Sequence, residues 1–337
     1  MEGVIPNTEA GKPSSPKTLT LDYDGHNLIF VAGCPRSGTT WLQRLLASHP
    51  KIHTGQESYV FGVHIGPQLQ AFRTGAEPRF RGGVGLACYF TEEEFLRVLK
   101  THLLTLLEPM VAHLNAGELF LEKSPSNARF LPEIIELLPQ ARVIHMLRDA
   151  RDVVSSLISG EEWLSYWAPD DPRHAAKTWA SYVKAVRDAL PKLPPKQFHE
   201  VRYESLSRSP EEVLRGCANF LGLEWNTTDI TNAVNANRAS KARETRGGQP
   251  IPVFGEVAKR SGPIVVEPEG FIRKAKPGAW KNDLSLYEKF WVWRTAHEVM
   301  EAEDYRWPKP LGSAFAFLSA SVDLAKAAFS PTRNRRA

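Results

Sequence analysis

The segment that decides the fold is NLIFVAGCPRSGTTWLQRLL, residues 27–46. It opens with the apolar run Asn27 to Ala32, which is typical of a strand buried on both faces of a parallel sheet. The glycine-rich stretch GCPRSGTT, residues 33–40, follows, and leucines then repeat at helical spacing. Strand, glycine-rich loop and helix in this order are the arrangement of a phosphate-binding loop.

The rest of the chain alternates strands and helices. The pattern predicts further strands at 119–121, 142–147 and 199–203, and helices at 92–107, 129–138, 149–159, 175–190 and 210–221, the last with Ser209 as its cap. This alternation predicts an α/β fold with a P-loop-like central parallel β-sheet flanked by helices on both faces. Ligands of such sheets bind at the carboxyl ends of the strands.

Composition narrows the class of protein. The chain has 337 residues, 42% of them hydrophobic and 24% charged, which is ordinary for a globular fold and excludes collagen-like, coiled-coil and disordered proteins. The net charge of +4 does not predict a nucleic-acid partner. Three widely spaced cysteines fit neither a disulfide framework nor a C-x-x-C metal pair, and with no secretory signal or transmembrane run they favour a cytoplasmic protein.

The glycine-rich loop departs from that of nucleotide triphosphatases. Its glycines have the spacing of G-x-x-x-x-G-K-[ST], but Thr39 stands in place of the lysine, and no strand-end carboxylate for magnesium is evident. Backbone N–H groups can still hold a phosphate there, and Arg36 adds a fixed positive charge. The loop therefore predicts phosphate binding without a triphosphatase mechanism.

Four segments together carry a family resemblance. PRSGTTW in the loop resembles the 5′-phosphosulfate loop of sulfotransferases that use 3′-phosphoadenosine 5′-phosphosulfate (PAPS). RDARDVVSS, residues 148–156, is similar to that family's 3′-phosphate element, and VRYESL, residues 201–206, to its adenine-side segment. FIRKAKPGAWKN, residues 271–282, resembles the RKGxxGxWKN signature, with Ala275 in place of a glycine. The resemblance implies a sulfotransferase domain at 27–308. Composition predicts a flexible tail at 1–26, and apolar residues at steps of four and three predict an amphipathic helix, followed by a basic tail, within 309–337.

The resemblance also implies which residues bind PAPS, without a metal. These are Arg36, Ser37, Gly38, Thr39, Thr40, Trp41, Arg148, Ser156, Tyr203, Arg273 and Lys274. Trp41 is equally typical of a core residue, and the last two could belong to a solvated basic face. The family signature has a glycine where this chain has Ala275. If that glycine needs a positive φ, the alanine lowers the stability of the fold by roughly 1 kcal/mol.

Sulfuryl transfer needs cations at the leaving phosphate and a base for the acceptor's proton. Arg36 and Lys123, the latter in LEKSPSN, are the predicted cations. HPKIHTGQES, residues 49–58, resembles the segment of tyrosylprotein sulfotransferases that carries the general base, which places Glu57 in that role. His53 and His64 are competing bases, and Glu57 could instead be a salt-bridge partner of an arginine.

The predicted function is therefore sulfuryl transfer from PAPS to a hydroxyl or amine acceptor. A P-loop kinase-like phosphotransferase or a non-catalytic nucleotide-binding module is the alternative, and dependence on magnesium separates them. The acceptor stays open between a small molecule, a sugar, a lipid and a peptide, and a homodimer is possible. Aromatic side chains near the motifs could wall the acceptor cleft; they are Tyr59, Phe61, Phe80, Trp163, Tyr166, Trp167 and Phe254. Arg73, Arg79 and Arg81 could meet a carboxylate or a sugar acid.

Overall fold

The computed structural model describes residues 18–77, 79, 82–159, 166–238 and 275–329, with side chains to residue 321. A parallel sheet of five strands in the order β2-β3-β1-β4-β5 forms its centre. The strands are β1 Leu28–Gly33, β2 Ile52–Thr54, β3 Leu119–Lys123, β4 Arg142–Leu147 and β5 Phe198–Arg202. Because all five run parallel, their carboxyl ends lie along one edge of the sheet.

Helices connect the strands and continue beyond the last one. They are α1 Thr39–Leu46, α2 Gly66–Gly75, α3 Glu92–Val111, α4 Leu131–Leu137, α5 Ala150–Leu157, α6 Pro172–Ala189, α7 Tyr203–Arg208, α8 Pro210–Leu221, α9 Thr227–Ala236, α10 Trp280–Asp283, α11 Leu286–Ala302 and α12 Lys309–Phe329. A π-helical turn at Val60–Ile65 precedes α2, and a 3₁₀ turn at Pro125–Arg129 follows β3.

The two faces of the sheet have separate cores. Leu28, Phe30 and Ala32 of β1 join the cluster that contains the buried side chains of α3 to α6 and α11. Ile29 and Val31 point to the opposite face, into the cluster formed with α1 and α7 to α9. This alternation explains the continuous apolar run of β1, since each face needs its own apolar residues. The α/β class with helices on both faces is confirmed.

Most predicted elements are present with small shifts in their bounds. No element was predicted from the sequence at β2, α2, α7, α9, α10 or α11; of these, β2, α7 and α10 are short and α2 is poor in apolar residues. The predicted helix at 129–138 is shorter, because the chain first makes the 3₁₀ turn. Ser209 makes no capping hydrogen bond with its side chain, and α8 instead begins at Pro210, a residue that has no N–H to satisfy.

The described termini contact the domain. Lys100 Nζ donates to the carbonyl of Tyr23 at 2.6 Å, and the N–H of Gln140 donates to the carbonyl of Asp24 at 2.8 Å. The fold therefore includes residues of the segment that sequence analysis assigns to the tail. At the other end, Phe315 of α12 is buried against Trp307. Among the described residues, no helix combines the length and apolar character needed to cross a membrane.

Candidate active site

The loop between β1 and α1, residues 33–40 and called the phosphate loop below, has a backbone that its sequence explains. Gly38 has a φ of 98° and caps α1. A Cβ at this position would lie 2.6 Å from Cδ2 of Tyr203, so only glycine fits. The hydroxyl of Ser37 donates to the carbonyl of Cys34 at 2.6 Å, which closes the turn. The loop thus brings the N-terminus of α1, with its unpaired N–H groups, to the carboxyl edge of the sheet.

Three of the predicted donor-binding residues meet at this loop. They are Arg36 of the loop itself, Arg148 and Ser156. Arg36 Nε donates to Ser156 Oγ at 3.0 Å, and Arg148 Nη1 donates to the carbonyl of Arg36 at 3.1 Å. Arg148 is only 9% exposed, and its Nε makes no hydrogen bond within the described part of the chain. A buried guanidinium with an unused donor is suited to an anionic ligand.

Two aromatic side chains complete the loop's surroundings. The buried ring of Tyr203, at the start of α7, lies 4.0 Å from the guanidinium carbon of Arg148. Trp41 meets that ring edge-on at a centroid distance of 5.6 Å, and its Nε1 donates to the carbonyl of Asn237 at 3.0 Å. Tyr203 therefore touches three predicted donor-binding residues, Gly38, Trp41 and Arg148. Its position makes it a support for the loop and for the arginine.

Lys123 and Glu57 form an ion pair at the end of β3. Lys123 pairs with Val31 in the register of β3 and β1, so it lies beside the strand that leads into the phosphate loop. Its ammonium contacts one oxygen of Glu57, and the hydroxyl of Tyr59 donates to the other. The side chain of Lys123 is 2% exposed and that of Glu57 29%. The ammonium thus lies on the inner side of the pair and the carboxylate on the outer side.

Glu122, which was not predicted from the sequence, holds the Glu57 segment in place. Its carboxylate is 1% exposed and accepts hydrogen bonds from the N–H and the hydroxyl of Ser58 at 3.2 and 2.7 Å. The hydroxyl of Ser124 and the amide of Asn127 donate to it at 2.6 and 2.5 Å. A buried carboxylate is stable when so many donors converge on it. The signal in the sequence was a glutamate inside a buried strand, directly before Lys123.

One of the two histidines that competed for the base role lies away from the ion pair. His53 of β2 is level with Phe120 in the sheet, about 10 Å along β3 from Lys123. Its Nε2 lies 3.2 Å from a carboxylate oxygen of Glu118, which precedes β3. His64 is exposed in the turn before α2. Glu57 is therefore the predicted base that contacts Lys123.

The C-terminal signature attaches to the start of α5. Arg273 and Lys274 lie outside the described residues, which begin again at Ala275 with a φ of 49°. The N–H groups of Gly278 and Trp280 donate to Asp152 at 2.7 and 3.0 Å. Burial raises the pKa of Asp152 although these bonds favour its anion. The RDARD segment thus binds the KPGAW segment directly.

The residues proposed to wall the acceptor cleft or to meet an acidic acceptor do not form one group. Phe61 is fully buried in the core, so it cannot contact an acceptor. Arg73 is already paired with Glu92 and Glu136. Tyr59 is the one that contacts the ion pair in the described part of the chain. Phe80, Arg81, Trp163 and Phe254 lie outside the described residues.

Comparison with known proteins agrees with this geometry. The model of the sulfotransferase family matches residues 28–227, which include the phosphate loop, Glu57, Lys123, Arg148 and Tyr203. The chain belongs to the sulfotransferase family. Protein-tyrosine sulfotransferase A of Caenorhabditis elegans is 27% identical over 212 residues, which cover 62% of this chain and 54% of that protein. Protein-tyrosine sulfotransferase 1 of Danio rerio is 28% identical over 204 residues, 59% of this chain and 54% of that protein.

The chain thus spans about half the length of these two curated relatives. Among solved structures, mouse sulfotransferase SULT7A1 complexed with PAP aligns with a TM-score of 0.52 at 14% identity, over 89% of this chain and 91% of that one. The sulfotransferase domain from the curacin biosynthetic pathway aligns with a TM-score of 0.50 at 20% identity, over 83% of this chain and 98% of that one. These two similarities support the fold.

Proposed function

We propose that this sulfotransferase moves the sulfuryl group of PAPS to a hydroxyl acceptor, with Glu57 as general base. One observation carries the proposal: a basic phosphate loop lies one strand away from a carboxylate–ammonium pair at the same edge of the sheet. The loop supplies an anion site, and the pair supplies a base and a cation. Both are needed to transfer a charged group to a hydroxyl.

The donor side follows from the phosphate loop. The loop amides and Thr39 and Thr40 would hold the 5′-phosphate at the N-terminus of α1. Arg148 and Ser156 would hold the 3′-phosphate, together with Arg273 and Lys274. The unused Nε of Arg148 supports this assignment, since a phosphate supplies the missing acceptor. Tyr203 and Trp41 would lie toward the adenine.

The chemistry at sulfur follows from the pair. Glu57 accepts the proton of the acceptor hydroxyl while its oxygen attacks sulfur and the bond to the 5′-phosphate breaks. Arg36 and Lys123 stabilise the charge on the sulfuryl group and on the leaving phosphate. The protein's own cations would supply the positive charge.

We further propose that the acceptor is the phenol of a tyrosine in a peptide. The names of the curated relatives support this choice over a sugar, a lipid or another small molecule. A partly exposed carboxylate at the rim of the site is accessible to a side chain presented from outside. A cytoplasmic location and a homodimer stay predictions.

Binding of the desulfated product, 3′-phosphoadenosine 5′-phosphate (PAP), tests the donor site. Titration calorimetry in the presence of EDTA should show that PAP binds and that ATP binds more weakly, because ATP lacks the 3′-phosphate. Replacing Arg148 by Ala should weaken PAP binding by about 2 to 4 kcal/mol, about 30- to 1,000-fold, since a charged phosphate loses its partner. Arg97→Ala, in an exposed pair on α3, is the matched control and should change nothing.

Equal or tighter binding of ATP would contradict the donor assignment. A requirement for magnesium would favour the kinase-like alternative. Transfer from labelled PAPS to a tyrosine peptide, compared with an alkyl alcohol and a sugar, then tests the acceptor class.

A further inference from the structure

The Glu57 carboxylate is already bound to a phenol. The hydroxyl of Tyr59 donates to the oxygen of Glu57 that Lys123 leaves unused. If Glu57 is the base, the acceptor hydroxyl must donate to this outer oxygen before it loses its proton. The side chain of the protein's own tyrosine therefore occupies the place of the acceptor's phenol.

The backbone around Tyr59 is built to hold this contact. Tyr59 has a φ of 51°, a left-handed conformation that is uncommon for a residue other than glycine, asparagine or aspartate. Its N–H donates to Ser124 Oγ at 3.0 Å, and Ser124 in turn donates to Glu122 at 2.6 Å. The buried network that positions Glu57 therefore also fixes the main chain of Tyr59.

The ring of Tyr59, in contrast, is able to leave. The residue is 41% exposed, so rotation about its side-chain bonds takes the phenol toward solvent without moving the main chain. Burial and the neighbouring Glu57 raise the pKa of the Tyr59 phenol. The hydroxyl therefore keeps its proton, and remains a donor to the carboxylate, throughout the physiological pH range.

We propose that Tyr59 is a stand-in for the acceptor, which caps Glu57 until an acceptor hydroxyl displaces it. The inference rests on the proposed role of Glu57 as base. The cap has a chemical use. An uncovered Glu57 accepts a proton from water, the water oxygen attacks the sulfur of PAPS, and the bond to the 5′-phosphate breaks to give sulfate and PAP. Tyr59 excludes water from the carboxylate oxygen and so suppresses this loss of donor.

Tyr59→Phe tests the cap, because it removes one partly exposed oxygen and keeps the ring. Two rates are measured: release of PAP from PAPS without acceptor, and transfer to 4-methylphenol, which has the chemistry of a tyrosine side chain. We expect release without acceptor to rise and the KM for 4-methylphenol to fall, each about two- to tenfold, the range of one net hydrogen bond. The kcat for transfer should change less than twofold, and PAP affinity should be that of the wild type.

The matched control is Tyr89→Phe, at a tyrosine that is 82% exposed and lies outside the site. It should leave both rates unchanged. Tyr59→Leu removes the ring as well. Like Tyr59→Phe, it should raise the release of PAP without acceptor and lower the KM for 4-methylphenol.

Each other outcome overturns the proposal. Unchanged KM and unchanged PAP release in Tyr59→Phe mean that the contact does not compete with acceptor or water. A fall in kcat at saturating 4-methylphenol means that Tyr59 takes part in the transfer itself. A wild-type protein that binds PAP but sulfates no phenol or alcohol overturns the proposed function, and the stand-in role with it, which is distinguishable from the first two results.

Discussion

The Glu57 carboxylate has a cation on one oxygen and a phenol on the other, and the two contacts have different consequences. Lys123 lies inside and orients the carboxylate toward the strand that leads into the phosphate loop. Tyr59 lies on the outer side, where an acceptor arrives. A residue used only as a structural salt-bridge partner would not need a second oxygen whose partner can be exchanged.

Replacing Glu57 by Gln should lower turnover by about a hundredfold or more and leave PAP affinity unchanged. The amide keeps the shape and can still accept a hydrogen bond from Lys123, but it cannot accept a proton. The loss of turnover should be smaller with acidic phenols, which ionise readily without a base. It should remain with alkyl alcohols. Steady-state rates over a series of acceptors of different pKa measure this.

Glu118→Gln is the matched control for Glu57→Gln. Glu118 is also a partly exposed glutamate, but its partner is the imidazole of His53, outside the site. Its replacement should leave turnover unchanged. Near-normal turnover of the Glu57→Gln variant on an alkyl alcohol would remove Glu57 from the base role and favour His64.

The helices and strands that the sequence predicts best are those whose signal is local. The strand, phosphate loop and α1 are contiguous, so their apolar periodicity and glycine spacing predict them together. β2 has only three residues, and α2 opens with Gly66 and Pro67 and buries few apolar side chains, so neither gives a clear period. Short elements depend on tertiary contacts that the pattern does not contain.

The residues of the candidate site also fall into those that a local motif predicts and those that only the folded structure brings together. The family motifs predict Arg36, Arg148 and Ser156, and the structure brings these three together. The Glu122 network joins residues 58, 122, 124 and 127 from two segments, and no single motif contains it. The contact of Tyr59 with Glu57 depends on that network, so sequence analysis predicted Tyr59 only as a residue of the cleft wall.

Ala275 of the C-terminal signature has a left-handed backbone conformation. Its φ of 49° is the positive value that the family's glycine suggests. Ala275→Gly should therefore increase the free energy of unfolding by about 1 kcal/mol, because it relieves the clash of a Cβ in the left-handed region. Ala279, with a φ of −60°, is the matched control.

Ala279→Gly should have the opposite effect and destabilise the protein by about 0.5 to 1 kcal/mol, through the entropy of the unfolded chain. Urea unfolding curves of both variants make the comparison. A destabilised Ala275→Gly variant would mean that the left-handed conformation carries no relievable strain.

A group of polar and charged side chains links the edge strand β5 to the helices α6 and α11. Glu200 of β5 lies 3.1 Å from His145 Nδ1 of β4 and 2.7 Å from Arg187 of α6. Arg187 also contacts Glu303, which follows α11, at 2.5 Å. These side chains link the end of α11 to the sheet. Helix α5, which α11 also contacts, binds the C-terminal signature through Asp152.

The stability of the molecule in acid should depend on Glu200. Burial alone would raise the pKa of its carboxyl group, but hydrogen bonds from His145 and Arg187 outweigh burial and lower it from the ordinary 4.5 to about 2. A lowered pKa contributes stability above the unfolded value, and the contribution disappears as the pH falls through the folded one. We therefore expect the Glu200 contribution to be complete above about pH 5 and to be lost between pH 4.5 and 2.

Glu200→Gln tests this dependence, since the amide cannot titrate. Urea unfolding at a series of pH values should show the variant less stable than the wild type at pH 7, with a difference that narrows steadily as the pH falls from 4.5 to 2. Glu93→Gln, at an 88% exposed glutamate in the pair with Arg97, should show almost no difference at any pH, because solvent screens that pair. A gap between the wild type and Glu200→Gln that stays constant over this range would mean that the ionised carboxylate adds nothing and that Glu200 acts only through its shape.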